Sequence, residues 1–171
     1  EAPYLTAQLL QQTETMWKDA AERAGLRFQM QPDEALPSVM SGSLDSIRKI
    51  INNLTGNAVK YTDQGGITLR FYKEPAAALD EAEKILFCIQ VEDTGVGIAP
   101  EDQERIFLPF ERGDCRTRRS SEGTGLGLAI VKDLANAMQG DVRCQSSPGS
   151  GSRFTVRLPQ TVQDPEPGGD R

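Results

Sequence analysis

The sequence predicts an α+β fold: a two-layer sandwich in which a mixed, mostly antiparallel sheet is covered on one face by about three helices. Two observations lead there. Some stretches repeat apolar residues at helical spacing, while a larger number alternate apolar and polar residues with the period of a half-buried strand. The strands also outnumber the single-helix crossovers that could join them in parallel, so helices gathered on one face of a mixed sheet are the natural packing.

The elements follow in order. Leu5, Leu9, Leu10, Met16, Trp17, Ala20 and Ala24 share one helical stripe, which predicts a helix over Tyr4 to Ala24, with Gly25 as its left-handed terminator. Leu26 to Gln31 alternates as a strand, Pro32 and Pro37 bracket a loop, and a short extended piece follows near Val39. Ile47, Ile50, Ile51, Leu54, Ala58 and Tyr61 form the apolar face of a second helix that ends near Thr62, with Ser43 placed to cap it. Gly65-Gly66 makes a turn, Ile67, Leu69 and Phe71 alternate as one strand, and Ile85, Phe87, Ile89 and Val91 as another. The alanine-rich, acidic stretch from Lys73 to Lys84 reads as a solvated hairpin loop.

From Val91 to about Thr124 the chain is rich in Gly, Pro and charge, and long loops of that kind inside compact domains usually carry function. Gly125 to Met138 is helical again, and Val142 to Cys144 and Phe154 to Leu158 form a closing hairpin around Pro148 to Gly151. Residues 1–160 therefore read as one domain, and the Pro/Gly/acidic segment 161–171 as a disordered tail or linker.

Composition narrows the function. A chain of 171 residues buries roughly 70% of its unfolded surface, enough for a core without metal or disulfide staples. No apolar run approaches the about 18 residues of a membrane span, and the first residues do not form a signal peptide, so this segment is expected to make no direct membrane contact. A net charge of −6 argues against nucleic acid as a partner. Three widely spaced cysteines, Cys88, Cys115 and Cys144, fit reduced thiols. The sequence contains no His, which removes imidazole bases, Ser/His triads and histidine metal sites together.

Three motifs remain for chemistry. Asn53, Asn57 and Lys60 lie at i, i+4 and i+7 on the second helix, a polar stripe beside the apolar one. Asn carbonyl oxygens suit Mg²⁺, which takes one or two protein oxygens and completes its shell with water and phosphate, and a Lys one turn away can meet a phosphate. The same three residues also describe an ordinary solvated helix face. Asp93-Thr-Gly-Val-Gly97 sets a carboxylate at a strand end before two glycines that let backbone approach a ligand, although a strand followed by a glycine turn is common punctuation. Gly123-Thr-Gly-Leu-Gly-Leu128 opens the third helix, whose free N–H groups and positive end form an anion site, and it fits neither a P-loop nor a dinucleotide fingerprint.

In this order, the motifs resemble the ATP-binding catalytic domain of sensor histidine kinases, in the superfamily of DNA gyrase B, the ninety-kilodalton heat-shock chaperones and MutL. Asn53 to Thr62 resembles the N box, Asp93 to Gly97 the G1 box, Ile106 to Arg112 the F box and Gly123 to Leu128 the G2 box. Gly149-Ser-Gly-Ser-Arg-Phe154 lies where that family closes its domain, and the resemblance covers about Leu5 to Pro159.

The resemblance implies the Bergerat ATP-binding fold with a mobile ATP lid, and ATP and Mg²⁺ as cofactors. It implies that Asn57 coordinates Mg²⁺ with Asn53 nearby, that Lys60 and Tyr61 face the phosphates or ribose, and that Asp93 holds the adenine amine. Gly95, Gly97 and Ile98 would shape the pocket floor, and Gly123, Thr124, Gly125, Leu126, Gly127 and Leu128 would close over the phosphates. The lid would run from about Arg112 to Gly123, hinged by Gly113 and the G2 glycines, with Phe107 and Phe110 anchoring its near end. Its arginines Arg112, Arg116, Arg118 and Arg119 each have the guanidinium chemistry to meet a γ-phosphate, and the sequence does not choose among them. Gly56 would allow close packing under the nucleotide.

Family members that hydrolyse ATP carry a Glu one turn before the metal-binding Asn, where this chain has Asn53, and an amide cannot act as a general base. Phosphoryl transfer to an external acceptor is therefore favoured. The resemblance places that acceptor on a histidine-containing dimerisation domain of the same parent chain, with a response regulator receiver domain downstream, in the cytosolic part of a membrane-bound bacterial sensor. The alternatives are a catalytically silent kinase-like module that binds a partner kinase, and a serine kinase of the anti-sigma type; the long Arg-rich lid and F box favour the histidine-kinase branch.

Overall fold

The computed structural model describes residues 2–62, 64–75, 84–95, 127–147 and 149–162. The described elements are β1 (Ala2–Leu5), α1 (Thr6–Arg23), β2 (Arg27–Pro32), β3 (Val39–Gly42), α2 (Leu44–Tyr61), β4 (Gly66–Pro75), β5 (Lys84–Asp93), α3 (Gly127–Ala137), β6 (Asp141–Ser147) and β7 (Gly151–Val162). The sheet is mixed: β2 and β4 run parallel, and every other pair is antiparallel. Its order is β1-β3-β7-β5-β4-β2, with β6 also paired to β7.

The period-2 alternation explains the two layers. Ile67, Leu69 and Phe71 of β4, Phe87, Ile89 and Val91 of β5, and Phe154, Val156 and Leu158 of β7 all point to one face and are buried. Against them pack Ile47, Ile50, Ile51, Leu54 and Ala58 of α2 and Val131 and Ala135 of α3, so the core lies between sheet and helices. On the other face Glu92 joins Arg70 at 2.6 Å and Arg153 at 3.1 Å, and Arg157 joins Asp141 at 2.9 Å. The α+β two-layer architecture is thus the one expected.

Several boundaries differ from the sequence expectation, each for a local reason. The first helix begins at Thr6 rather than Tyr4, because Tyr4 is drawn into β1 opposite Met40 and its hydroxyl donates to Gln160 Oε1 at 2.7 Å inside the core. Thr6 then anchors the helix start, its N–H on Ser38 O and its hydroxyl on Pro37 O. The helix ends as the glycine signals: Gly25 has φ +79°, Leu26 N–H donates to Ala21 O and Gly25 N–H to Glu22 O, the paired bonds of a Schellman terminator. Ser43 occupies the cap position of α2, but its hydroxyl donates to Ser46 Oγ instead of capping backbone.

Strand β4 continues through Pro75, into the stretch read as loop, since Lys73 to Pro75 pair with Phe87 to Ile85. At the other end β7 reaches Val162, past the expected start of the tail, because Thr161 and Val162 pair with Ser41 and Met40. Cys88 and Cys144 are free thiols. Among the described residues no helix is long and apolar enough to cross a membrane.

Candidate functional site

The alternation that buries Phe87, Ile89 and Val91 carries one more residue to the helix-facing side, Asp93, the last of β5. It is 8% exposed and is the one buried charged side chain among the described residues. Burying a carboxylate is unfavourable unless it is hydrogen-bonded, which makes this strand-end Asp the first candidate for a functional group. Gly95 N–H donates to Asp93 Oδ1 at 2.8 Å, and the backbone N–H of Ser152, its partner across β5 and β7, also supports the carboxylate. Burial nevertheless pushes the Asp93 carboxyl above the ordinary aspartate range, against the downward pull of Gly95, Ser152 and the Thr62 hydroxyl.

The segment after α2 is stitched to the same corner. Thr94 Oγ1 accepts from Gly66 N–H at 3.1 Å and donates to Gln64 O at 3.2 Å, while Thr94 N–H donates to Gly66 O. These bonds bring Thr62, which follows the last residue of α2, against Asp93. The buried Thr62 hydroxyl lies beside the carboxylate and, as a hydrogen-bonding neighbour, lowers its proton affinity. The third wall is the β6–β7 hairpin, where Ser146 Oγ bonds Gly151 O at 2.8 Å and lies 3.0 Å from Ser152 Oγ. Gly151 has φ +89°, and a Cβ there would lie 2.0 Å from Asp93 O, so only glycine lets this turn approach the end of β5.

Helix α2 ends beside this corner, at Tyr61. Asn53, Asn57 and Lys60 are all half-buried on it, as the stripe predicts. Asn53 Nδ2 donates back to Lys49 O at 2.9 Å, which orients the amide. Tyr61 is the final residue of the helix. Gly56 faces away from the role expected of it: a Cβ there would meet Trp17 Cη2 of α1 at 3.5 Å, an ordinary contact, so the glycine belongs to the α1–α2 interface, which Trp17 also ties by donating to Asn52 Oδ1. Gly127 and Leu128 open α3, with Leu128 packed against the core.

Among the expected site residues, the structure therefore brings Asp93 and Gly95 to one corner, sets Asn53, Asn57, Lys60 and Tyr61 on α2, and puts Gly127 and Leu128 at the head of α3. Gly97, Ile98, Phe107, Phe110, Arg112, Gly113, Arg116, Arg118, Arg119 and Gly123 to Leu126 lie outside the described residues, as does Cys115. Sequence reasoning missed Thr62, Ser146, Gly151 and Ser152. Thr62 ends the N-box segment and could have been found there, whereas the two serines gain their meaning only from the register of β7 on β5.

Comparison with known proteins agrees with this geometry. Residues 42–162 match the family model described as histidine kinase-, DNA gyrase B-, and HSP90-like ATPase. Sensor histidine kinase RcsC of Escherichia coli strain K12 is 38% identical over 138 residues, covering 81% of this chain and 13% of that protein. Sensor protein GacS of Pseudomonas syringae pv. syringae is 35% identical over 167 residues, 96% of this chain and 18% of that protein. This chain thus spans under a fifth of the length of these two relatives. Full-length ShkA in complex with AMPPNP superposes with a TM-score of 0.74 at 32% identity, over 94% of this chain and 31% of that one. The mycobacterial sensor histidine kinase MprB shares the fold, with a TM-score of 0.70 at 21% identity over 94% of this chain and 99% of that one. With the match spanning α2, the buried Asp93 and the closing hairpin, this chain belongs to the histidine kinase-, DNA gyrase B- and HSP90-like ATPase family.

Proposed function

We propose that this chain is the ATP-binding catalytic domain of a sensor histidine kinase, binding Mg-ATP and donating its γ-phosphoryl group to a histidine on a separate dimerisation domain in two-component signalling. The observation that carries the reading is Asp93, a buried carboxylate held by backbone N–H groups and set beside the Thr62 hydroxyl. An acceptor in that place suits the exocyclic amine of adenine, which guanine lacks at that ring position. The ATP analogue in ShkA and the histidine-kinase names of the relatives support the same ligand and reaction.

The amide oxygens of α2 fit the metal. A cation would share its shell between one or two Asn oxygens and the phosphates, which is how Mg²⁺ binds nucleotides. Asn57 would hold it with Asn53 beside it, and bound Mg²⁺ would neutralise phosphate charge. Lys60 and Tyr61 face the phosphates or ribose in this reading, Gly95, Gly97, Ile98 and Phe110 shape the pocket, and Gly123 to Leu128 present N–H groups to the phosphates. Arg112 or Arg116 of the lid, among its four arginines, would offset charge as the phosphoryl group leaves. The domain's own contribution is positioning and electrostatic stabilisation.

The acceptor must come from elsewhere, because this sequence has no His, and Asn53 in place of a carboxylate provides no base for water. The partners are accordingly a histidine-bearing dimerisation domain of the parent and a downstream receiver domain, and the setting is the cytosolic side of a membrane-bound sensor. Because β7 runs to Val162, residues 1–162 would form the catalytic unit and 163–171 a linker. The test is transfer: with γ-labelled ATP and Mg²⁺, the label should appear as acid-labile phosphate on a separately supplied dimerisation domain of the parent. ATP binding without transfer to that domain would instead favour a catalytically silent module.

A further inference from the structure

Thr94 ties the turn that joins α2 to β4 onto the end of β5. The β4–β5 ladder runs as far as the pair Ile67 and Asp93. One step further, Thr94 N–H still donates to Gly66 O, but Gly66 N–H donates to Thr94 Oγ1 at 3.1 Å, so the side chain takes the return bond of the pair. The same hydroxyl donates to Gln64 O at 3.2 Å. The turn is shaped around it: Gly65 has φ +110°, and a Cβ there would fall 2.0 Å from Thr94 Oγ1. From the other side Arg27 N–H donates to Gly65 O at 2.9 Å, a backbone bond that does not depend on a side chain.

What this clasp holds is not Asp93, which is paired on both sides, with Ile67 of β4 and Ser152 of β7. It holds the start of the turn, and with it the last turn of α2, where Asn57 and Lys60 lie close to the terminal Tyr61. A hydroxyl accepts from one backbone group while donating to another, and a valine of the same shape does neither. Resting on the Mg-ATP reading above, we propose that Thr94 is a positioning residue: its hydroxyl fixes the Asn57-bearing end of α2 relative to the end of β5. A ligand that reaches both elements needs them in register to within about half an ångström, and hydrogen bonds behind the binding groups supply that precision. Contacts made at β5 alone do not depend on the clasp.

The test titrates AMPPNP into the whole chain with and without Mg²⁺, for the wild type, Thr94→Val, Thr94→Ser and, as a control, Tyr4→Phe. Tyr4→Phe also removes a hydroxyl bond between distant parts of the chain, but its partner Gln160 pairs with Ile85, at the opposite end of β5 from Asp93. Thr94 is exposed, so Thr94→Val is expected to fold. It should lose about three- to tenfold of the affinity gained on adding Mg²⁺, while binding without Mg²⁺ stays within about twofold of the wild type. Thr94→Ser should recover the gain to within about twofold, and Tyr4→Phe should keep it in full. In the ligand-free chain, amide exchange in Ala58 to Tyr61 should quicken in Thr94→Val and return to the wild-type rate in Thr94→Ser. A folded Thr94→Val with the wild-type Mg²⁺ gain, or with exchange no faster than the wild type, overturns this proposal alone. A folded wild type that binds no AMPPNP overturns the ATP reading beneath it, and one that binds AMPPNP with no gain from Mg²⁺ overturns the metal reading.

Discussion

Gly151→Ala is the substitution whose effect the structure specifies most closely, because a matched control sits two residues away. Gly149 and Gly151 both have left-handed backbone, at φ +82° and +89°. Nothing lies within 4 Å of a Cβ built on Gly149, whereas one on Gly151 would fall 2.0 Å from Asp93 O and 2.9 Å from Thr94 Cα. Gly149→Ala should therefore lose only the left-handed penalty, about 1–2 kcal/mol. Gly151→Ala adds the displacement of backbone by about an ångström, worth a further ~1–3 kcal/mol, for a total of about 2–5 kcal/mol. At roughly 2–4 °C per kcal/mol in a domain of this size, the control should melt a few degrees low and Gly151→Ala clearly lower. The atoms pushed belong to Asp93 and Thr94, so nucleotide affinity should fall with Gly151→Ala and hold with Gly149→Ala. Equal melting temperatures and equal affinities for the two variants, by differential scanning calorimetry and titration, would refute the account of this turn.

Three other outcomes follow from the same geometry. Gly56→Ala should raise stability by about 0.5–1 kcal/mol, since the helix interior favours Ala and Trp17 at 3.5 Å leaves room, and a thermal melt checks it. Asp93→Asn should be more stable than wild type at neutral pH while losing adenine affinity: burial raises the Asp93 carboxyl in the folded state, so the stability it contributes is present in acid and lost as pH rises through its folded value. The advantage of the variant in melts should therefore shrink towards acid pH. Glu92 has the opposite sign, because Arg70 and Arg153 hold its carboxyl below the usual range. Glu92→Gln should be less stable than wild type near neutrality, and the gap should close as pH falls below the ordinary glutamate range, in the same melts.

Local pattern carried the architecture well where a stripe or an alternation ran long. The apolar faces of α2 and β5 are legible because the side chains that make them are the ones the core buries. The failures are long-range. Nothing local in Ala2 to Leu5 says strand, and β1 exists because β3 offers an edge and Gln160, far along the chain, takes the Tyr4 hydroxyl. Thr161 and Val162 are strand for the same reason, despite the Pro/Gly/acidic company they keep. In the site, Asp93 stands out in sequence as a carboxylate closing an apolar alternation. Ser146 and Ser152 do not, because isolated hydroxyls become legible only when register and turn geometry place them at that corner. Gly56 illustrates the converse: a glycine inside a functional motif whose neighbour is another helix.

The most direct measurement is a calorimetric titration of ATP into the chain with and without Mg²⁺, alongside Asp93→Ala and Asn57→Ala. The account predicts binding by the wild type that strengthens with Mg²⁺, falls below detection in Asp93→Ala, and loses its Mg²⁺ dependence in Asn57→Ala. A folded wild type that takes up no ATP, or an Asp93→Ala variant that binds as the wild type does, would contradict it.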